Sequence, residues 1–313
     1  MEITQVIQSI TIISIMITIG AIISKTFRIN EDTRKVFISI IVNVAMPCII
    51  LSSIFHVEMN EKRFKMIMLV FCLSVIINII GIGLGWVFSG VFYRSSTNRK
   101  ELALLSGLGN TGFIGIPLCA VLLGPEGALY AAIFDAGVDF TIWTLGVFML
   151  QNKKSFSIQT FKSMINIPII AIIGGLVISY VQFKPPTLII DLVDQLSKLA
   201  APLAMFYIGI LVMTLQRSKV KSSRTKIWLP ITTKLLILPG IVALIILYIK
   251  LPLSIVQVIL IQSMMPTLTL ASILFAKYYA DEDIGAITTV VSTLVALLTI
   301  PFMIFLMNIF VLS

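Results

Sequence analysis

Long apolar segments alternate with short polar and basic ones along this chain. The apolar segments are about 20 residues long, which is the length of helix that crosses the ~30 Å hydrocarbon core of a bilayer. The pattern predicts an all-α polytopic membrane protein with ten spans. They lie near residues 5–24, 36–55, 66–92, 102–123, 127–150, 164–183, 193–215, 227–249, 254–276 and 286–311.

The composition supports a membrane location. The 313 residues are 58% hydrophobic and 12% charged, whereas a soluble domain carries about 25% charged residues. The polar surface is too small to cover a water-soluble globule, so we expect the lipid bilayer to surround the protein. The net charge of +9 comes from bases in short loops. Membrane topology explains such bases, and nucleic acid is not expected as a partner.

The loop charges predict the orientation. Sixteen Lys and Arg residues lie in the odd-numbered loops and six in the even-numbered loops. Because basic loops stay in the cytoplasm, the odd-numbered loops are predicted to be cytoplasmic. The sequence therefore predicts a multi-pass protein of the cell (plasma) membrane with both termini outside.

Span four contains an unusual run of polar and helix-breaking residues, from Asn110 to Pro117. Non-helical backbone at membrane depth is tolerated only where protein or a water-filled cavity covers it, and broken helices build the binding sites of many carriers. The run is therefore a candidate binding site. A proline kink or a small-residue packing face is the alternative. The candidate residues are Asn110, Thr111, Gly112, Gly115 and Pro117.

A similar interruption occurs in span nine. Pro266 there matches Pro117 of span four, and Ala200–Ala204 of span seven resembles Ala45–Ile49 of span two. Two copies of five spans would have opposite orientations, which predicts inverted repeats over residues 1–151 and 164–313 with a cytoplasmic linker at 152–163. Matched interruptions in two halves indicate a transporter's binding site. The candidates in span nine are Gln262, Ser263, Pro266 and Thr267.

Span five carries two acids, Asp135 and Asp139, whose i, i+4 spacing places both on one helix face. Acids within a span usually face protein or water, so the pair is a candidate for carrying protons or a cation. A structural role, through hydrogen bonds or a salt bridge to Lys234, is the alternative. Lys234 itself either reaches the cytoplasmic interface or attracts an anion. Asn43 is a further candidate anion contact, or a polar bridge between helices.

Enzyme signatures such as HExxH, GxSxG and the P-loop are absent from the sequence. The three cysteines, Cys48, Cys72 and Cys119, lie in apolar segments, and no CxxC or Cys/His cluster predicts a metal site or disulfide. We therefore expect neither an enzyme nor a cofactor. Without a nucleotide site, active transport would use an ion gradient, of H⁺ or of Na⁺.

Seven short motifs together resemble the auxin efflux carrier family of prokaryotic permeases, to which the plant PIN carriers are distantly related. They cover nearly the whole chain in the family's order. The motifs are Asn110–Leu118, Gly124–Gly127, Phe134–Asp135, Trp143–Val147, Ala201–Gly209, Met265–Thr267 and Ser292–Leu294.

The resemblance implies a ten-helix fold of two inverted repeats, like that of bile-acid symporters and the sodium/proton antiporter NhaA. Helices 1, 2, 6 and 7 would form a scaffold. Helices 3–5 and 8–10 would form a transport domain, in which broken helices 4 and 9 cross at Pro117 and Pro266. The family pattern also implies a carboxylate substrate, movement of the transport domain against the scaffold, and often a homodimer. Asp135 matches that pattern, and Asp139 matches it less securely. The implied lining residues are Asn110, Thr111, Gln262, Ser263 and Thr267.

These features predict a secondary active transporter of a small organic anion. A malate- or malonate-like dicarboxylate or an auxin-like carboxylate would move by an elevator-type mechanism with proton coupling. A sodium-coupled carrier of the same fold is one alternative, and a non-transporting sensor or a channel is another. An intramembrane protease is disfavoured because both acids share one helix.

Overall fold

The computed structural model describes residues 3–27, 29–93, 98–151, 166–213 and 226–310. Helices account for most of these residues. They are α1 Ile3–Thr26, α2 Glu31–Ile40, α3 Met46–Phe55, α4 Glu61–Phe92, α5 Arg99–Gly107, α6 Ile116–Thr141, α7 Val147–Leu150, α8 Ile167–Tyr180, α9 Thr187–Ser197, α10 Ala200–Met213, α11 Leu238–Leu247, α12 Leu253–Ser263, α13 Ala271–Lys277 and α14 Glu282–Phe310. Residues 226–232 are also helical.

Wider π-helical turns interrupt the regular helices at four places in the described ranges. They are Ile41–Ala45, Thr111–Gly115, Ile142–Gly146 and Thr233–Ile237. Such turns insert an extra residue into the helix and re-aim the side chains near it, and they are common at functional sites.

Six helices of the described chain are long and apolar enough to span a membrane. They are Asp32–Phe55, Glu61–Phe92, Thr111–Leu150, Thr187–Met213, Lys226–Leu247 and Glu282–Leu306, and shorter apolar helices cover Thr11–Thr26, Ile167–Tyr180 and Leu253–Ser263. The prediction of an all-helical integral membrane protein is confirmed. The count of ten spans in two inverted repeats stays a prediction.

Predicted spans four and five meet at a kink in α6. Gly124 there has φ +70° and ψ −160°, a backbone conformation that glycine adopts far more readily than other residues. Pro125 follows and has no N–H to continue the helical hydrogen bonds. The segment Thr111–Leu150 therefore forms one long but kinked unit.

Burial follows the pattern expected in lipid. Large apolar side chains such as Leu188 and Leu298 are more than three-quarters exposed, which suits a hydrocarbon environment. Polar side chains such as Ser74, Asn78 and Gln262 are buried in the helix bundle, where they find protein partners that lipid cannot provide.

Helices α1 and α10 pack with their backbones in close contact. A Cβ atom added at Gly209 would lie 2.0 Å from the carbonyl oxygen of Ile17, and one added at Gly20 would lie 2.3 Å from that of Phe206. Small residues at both positions permit this approach, as in other membrane helix pairs. The two helices correspond to predicted scaffold helices 1 and 7.

The predicted linker 152–163 lies outside the described residues. So do several of the loop bases that set the predicted orientation, namely Arg28, Arg94, Lys153, Lys154, Lys162, Arg217, Lys219, Lys221 and Arg224. The division into repeats and the outward position of both termini stay predictions.

Candidate functional site

Two breaks in the helices meet inside the bundle. The first break covers residues 108–110 and the second covers residues 264–270. The backbone N–H of Asn110 donates to the carbonyl of Pro266 at 2.7 Å, and that of Leu268 donates to the carbonyl of Leu108 at 3.2 Å. Gly109 and Thr267 thus form an isolated antiparallel bridge. Each break supplies a hydrogen-bond partner for the other, so part of the non-helical backbone is satisfied by protein.

The two prolines occupy different places at this crossing. Pro266 lies in the second break, where its carbonyl accepts the bond from Asn110. Pro117 lies inside the continuous helical segment, just after the π-helical turn Thr111–Gly115, and because it has no N–H it cannot donate a helical hydrogen bond there. The crossing is therefore centred on Gly109 and Thr267.

Hydroxyl groups from α14 cover the second break. The backbone N–H of Thr267 donates to Ser292 Oγ at 3.1 Å, and Thr289 Oγ1 donates to the carbonyl of Leu268 at 2.8 Å. Sequence reasoning did not single out Thr289 for this role, because a threonine in an apolar span resembles any packing residue. Its role as a hydrogen-bond donor to the second break is visible only from its position in the fold.

Gln262 connects the end of α12 to the other broken helix. Its Nε2 donates to the carbonyl of Ala131 at 3.1 Å and lies 3.5 Å from that of Thr111. A Cβ at Gly115 would lie 2.0 Å from Gln262 Oε1. Gly115 is therefore needed for close approach to Gln262.

A cavity of about 210 Å³ opens beside the first break; we call it the polar cavity. Five of the predicted site residues line it, namely Asn110, Thr111, Gly112, Asp135 and Asp139. Residues that were not predicted as site residues complete the wall, and they include Val42, Met46, Trp143, Asn166, Pro168 and Thr269. Three of the four π-helical turns contribute to it, through Val42, Thr111–Phe113 and Trp143.

Neutral hydrogen-bond donors hold the two acids in the cavity wall. Thr111 Oγ1 donates to Asp135 Oδ1, and Asn166 Nδ2 donates to Asp139 Oδ2 at 2.8 Å. A Cβ at Gly112 would lie 2.8 Å from Asp135 Oδ2, so this glycine admits the carboxylate. Among the described residues, neither acid forms an ion pair with Lys234.

The helix that carries the acids is fixed by α4. Ser74 Oγ donates to the carbonyl of Phe134 at 2.6 Å, and a Cβ at Gly137 would lie 2.7 Å from the Ser74 side chain. Asn78 Nδ2 in turn donates to the carbonyl of Ser74 at 2.7 Å. These contacts lock α6 against α4 next to Asp135 and set the depth of both carboxylates.

Asn110 presents an unpaired donor at the cavity. Its Oδ1 accepts from the backbone N–H of Phe113 at 3.2 Å and so caps the helical segment that starts at Thr111. Its Nδ2 is buried and has no hydrogen-bond partner among the described residues. The first N–H groups of a helix also lack partners within it. The cavity wall therefore includes a residue with an unpaired donor, a group that suits an anion.

The other predicted residues lie outside the cavity wall. Lys234 is 2% exposed, and its Nζ donates to the carbonyl of Ser263 at 3.3 Å; it lies behind the crossing and does not reach the interface. Asn43 is exposed and donates to Ser39 Oγ at 3.0 Å. The remaining residues outside the lining are Gly115, Pro117, Gln262, Ser263, Pro266 and Thr267, all of which build or flank the crossing.

A helical membrane protein whose broken helices cross beside a polar cavity has the architecture of a transport protein. A family model described as "Membrane transport protein" matches residues 5–159 and 154–304. The chain belongs to this family, which confirms the predicted auxin efflux carrier resemblance and a role in transport, not in enzyme catalysis.

Relatives with assigned names are also transporters. An uncharacterized transporter of Methanocaldococcus jannaschii is 28% identical over 210 residues, which is 64% of this chain and 67% of that protein. An uncharacterized transporter of Methanothermobacter thermautotrophicus is 21% identical over 94% of this chain and 96% of its own. A Rhizobium meliloti protein that is provisionally named a malonate transporter is 23% identical over 70% of this chain and 71% of its own.

Proposed function

We propose that this protein is a secondary active carrier of a small organic anion, of the malonate- or malate-like dicarboxylate or auxin-like carboxylate class. It works by an elevator-type movement with proton coupling, in the cell membrane. The observation that carries this proposal is the polar cavity itself, because its wall combines two carboxylates with Asn110, whose Nδ2 has no hydrogen-bond partner among the described residues, beside the meeting point of two helix breaks.

The donor side of the cavity suits a carboxylate. Asn110 and the first residues of the helical segment after it, Thr111 to Phe113, lie in the cavity wall. A helix N-terminus carries about half a positive charge and stabilises anions. A substrate carboxylate would therefore bind at the first break, with its charge against these donors.

The size of the cavity favours a small substrate. Its volume of about 210 Å³ is below the roughly 300–1,000 Å³ of pockets that hold drug-sized ligands. A three- or four-carbon dicarboxylate is compatible with that space, and an aromatic acid would require a wider state of the cavity. The provisional name of the Rhizobium meliloti relative, at 23% identity, also favours a dicarboxylate.

Proton coupling follows from the charges that would share the cavity. Asp135 and Asp139 face the space that the anion would enter. Two like unit charges 4 Å apart repel by about 4 kcal/mol at an effective dielectric constant of 20. Protonation of an acid removes that repulsion, so the anion and the proton bind together. Sodium is the competing ion, because the carboxylate oxygens and Thr111 Oγ1 are hard oxygen ligands.

The position of the cavity supports an elevator movement. Its wall combines Val42 and Asn166, from predicted scaffold helices 2 and 6, with Asn110, Asp135 and Leu268, from predicted transport helices 4, 5 and 9. A site at this boundary changes its access when one group of helices slides against the other. Asn166 and Trp143 lie toward the predicted cytoplasmic ends of their helices, so this conformation would be inward-facing.

Uptake into proteoliposomes tests the proposal. Labelled malonate, malate and indole-3-acetate are offered under an inward proton gradient, an inward Na⁺ gradient and no gradient, with protein-free liposomes as control. We expect gradient-driven accumulation and counterflow of at least one dicarboxylate. Binding without counterflow would favour a sensor, unitary conductance in planar bilayers would favour a channel, and neither binding nor uptake of any organic acid would overturn the proposal.

A further inference from the structure

Lys234 lies at a specific point of the crossing that the proposed transport function leaves unexplained. It belongs to the π-helical turn Thr233–Ile237 and is 2% exposed. Its Nζ donates to the carbonyl of Ser263, the last residue of α12, at 3.3 Å. A Cβ at Gly109 would lie 3.1 Å from the same Nζ. The ammonium is thus packed between the two helix breaks.

The directions of the two half-helices explain why a cation is favoured at this position. Helix α5 ends at Gly107, two residues before Gly109, and α12 ends at Ser263. Both half-helices therefore have their C-terminal ends near the Lys234 ammonium. A helix C-terminus carries about half a negative charge and has carbonyl groups without helical partners, so a cation is stabilised there. In broken-helix carriers such C-terminal ends and unwound carbonyls commonly coordinate Na⁺ or accept H⁺.

The ammonium is separated from the polar cavity. Gly109 and Asn110 line the cavity, whereas Lys234 is not part of the wall. Gly109 has no side chain, and this permits the lysine to pack against the opposite face of the first break. Lys234 therefore serves the crossing itself, and an anion in the cavity would meet the backbone of the first break before it met this side chain.

We infer that the Lys234 ammonium is a built-in cation for the two half-helix C-termini. Because it is part of the chain, it fills the place where an inorganic cation would otherwise bind. Its charge offsets both helix ends and holds the two breaks together. Because that place is filled permanently, the crossing needs no Na⁺ in any step of the transport cycle. The inference builds on the proposed function, which leaves the coupling ion to experiment.

Removal of the charge tests the inference. Lys234→Met keeps the length of the side chain without its ammonium, and Lys65→Met is the matched control because the Lys65 side chain is 71% exposed. Thermal unfolding of the detergent-purified proteins is measured in NaCl and in choline chloride at equal ionic strength. We expect equal midpoints in both salts for the wild type, a lower midpoint for Lys234→Met, and no change for Lys65→Met.

A second variant asks whether a free cation can replace the tethered one. Lys234→Ala leaves space at the helix ends, so Na⁺ or methylammonium should raise its unfolding midpoint above the value in choline, while the wild type stays unaffected. A Lys234→Met protein as stable as the wild type would overturn the inference, and so would a Lys234→Ala protein that responds equally to all three cations. If Lys234→Met fails to fold, the unfolding midpoints of Lys234→Ala and of the wild type in the three cations still decide whether a free cation replaces the Lys234 ammonium.

The wild-type transport assay separates this inference from the function on which it rests. Proton-driven anion uptake should be the same within twofold in Na⁺ and in choline. A strict requirement of counterflow for Na⁺ that persists in the double variant Asp135→Asn, Asp139→Asn, which lacks the carboxylates that could hold Na⁺ in the cavity, would overturn the role of Lys234 and leave the anion carrier intact. An absence of any anion uptake would overturn the proposed function, and the unfolding series would still decide whether Lys234 acts as the cation.

Discussion

The backbone N–H of Asn110 donates to the carbonyl of Pro266 at 2.7 Å, although the two residues lie in predicted spans four and nine. This bond joins a helix break in one half of the chain to a break in the other half. The Asn110 side chain caps the next helical segment through its Oδ1, and its Nδ2 has no hydrogen-bond partner among the described residues. One residue therefore connects the crossing to the candidate binding site.

The approach of Gln262 to Gly115 gives the first prediction. In Gly115→Ala the added Cβ would lie 2.0 Å from Gln262 Oε1, so the amide must move and its bond to the carbonyl of Ala131 must break. Overpacking of this kind costs about 1–3 kcal/mol. We expect a lower unfolding midpoint and loss of most anion uptake in proteoliposomes.

Gly83→Ala is the matched control for that variant, because no heavy atom lies within 4 Å of the added Cβ. It should leave uptake unchanged and the midpoint equal or slightly higher, since alanine favours a helix over glycine by roughly 0.5–1 kcal/mol. In the double variant Gly115→Ala, Gln262→Ala the clash is gone. The double variant should be no less stable than Gln262→Ala alone. If the losses of stability in the two single variants simply add in the double variant, the assigned contact between Gly115 and Gln262 is contradicted.

The second prediction concerns the donor of Asn110. Asn110→Asp keeps the oxygen that caps the segment at Phe113 but replaces the unpaired Nδ2 donor by a negative oxygen. Anion binding should weaken by at least tenfold while the protein remains folded. Asn60→Asp is the control, because Asn60 likewise caps a helix through its Oδ1, which accepts from the backbone N–H of Arg63, but it is exposed at a helix start outside the cavity. Equal effects of both variants on the dissociation constant, measured by calorimetry, would argue against the site.

The third prediction is a pH dependence. If the anion binds together with a proton on Asp135 or Asp139, uptake by the wild type should rise as the external pH falls. In the double variant Asp135→Asn, Asp139→Asn the acids are permanently neutral, so the pH profile should be flat and accumulation against a gradient should be lost. Counterflow should persist, because the anion still meets a neutral wall.

A control variant accompanies that measurement. Asp32→Asn removes an acid whose side chain is 86% exposed and pairs with Lys35 at the surface. It should retain the wild-type pH profile. A double variant that still accumulates substrate along a proton gradient would show that the coupling proton is carried elsewhere.

The fourth prediction tests the packing of α1 on α10. In Gly209→Ala the new Cβ would lie 2.0 Å from the carbonyl oxygen of Ile17, and only movement of a whole helix can relieve a backbone contact. We expect a clear fall in the unfolding midpoint. Gly174→Ala, which meets no heavy atom within 4 Å, should not lower it. Equal midpoints for the two variants would contradict the close helix pair.

Much of the architecture could be predicted because a bilayer restricts the chain so strongly. Any apolar segment of about 20 residues must become a helix to satisfy its backbone, so the helical class and the positions of most helices followed from the sequence. The same restriction made the run from Asn110 to Pro117 and the region around Pro266 visible as candidate breaks, although only Asn110 of the first run lies in the non-helical backbone of residues 108–110. The acids of span five were visible because charge in a span is rare.

Only the tertiary structure decided what each of these residues contacts. Hydropathy does not reveal which helix faces which, so the sequence left open which of Asn43, Lys234 and Asn110 would contact an anion. The fold places Asn110 at the cavity, Lys234 behind the crossing and Asn43 on the exposed face. It also brought in Asn166 as the partner of Asp139. The sequence determined which two segments interrupt the helices, because local backbone chemistry is enough for that, whereas the exact breaks at 108–110 and 264–270 and the cavity depend on contacts between segments far apart in the chain.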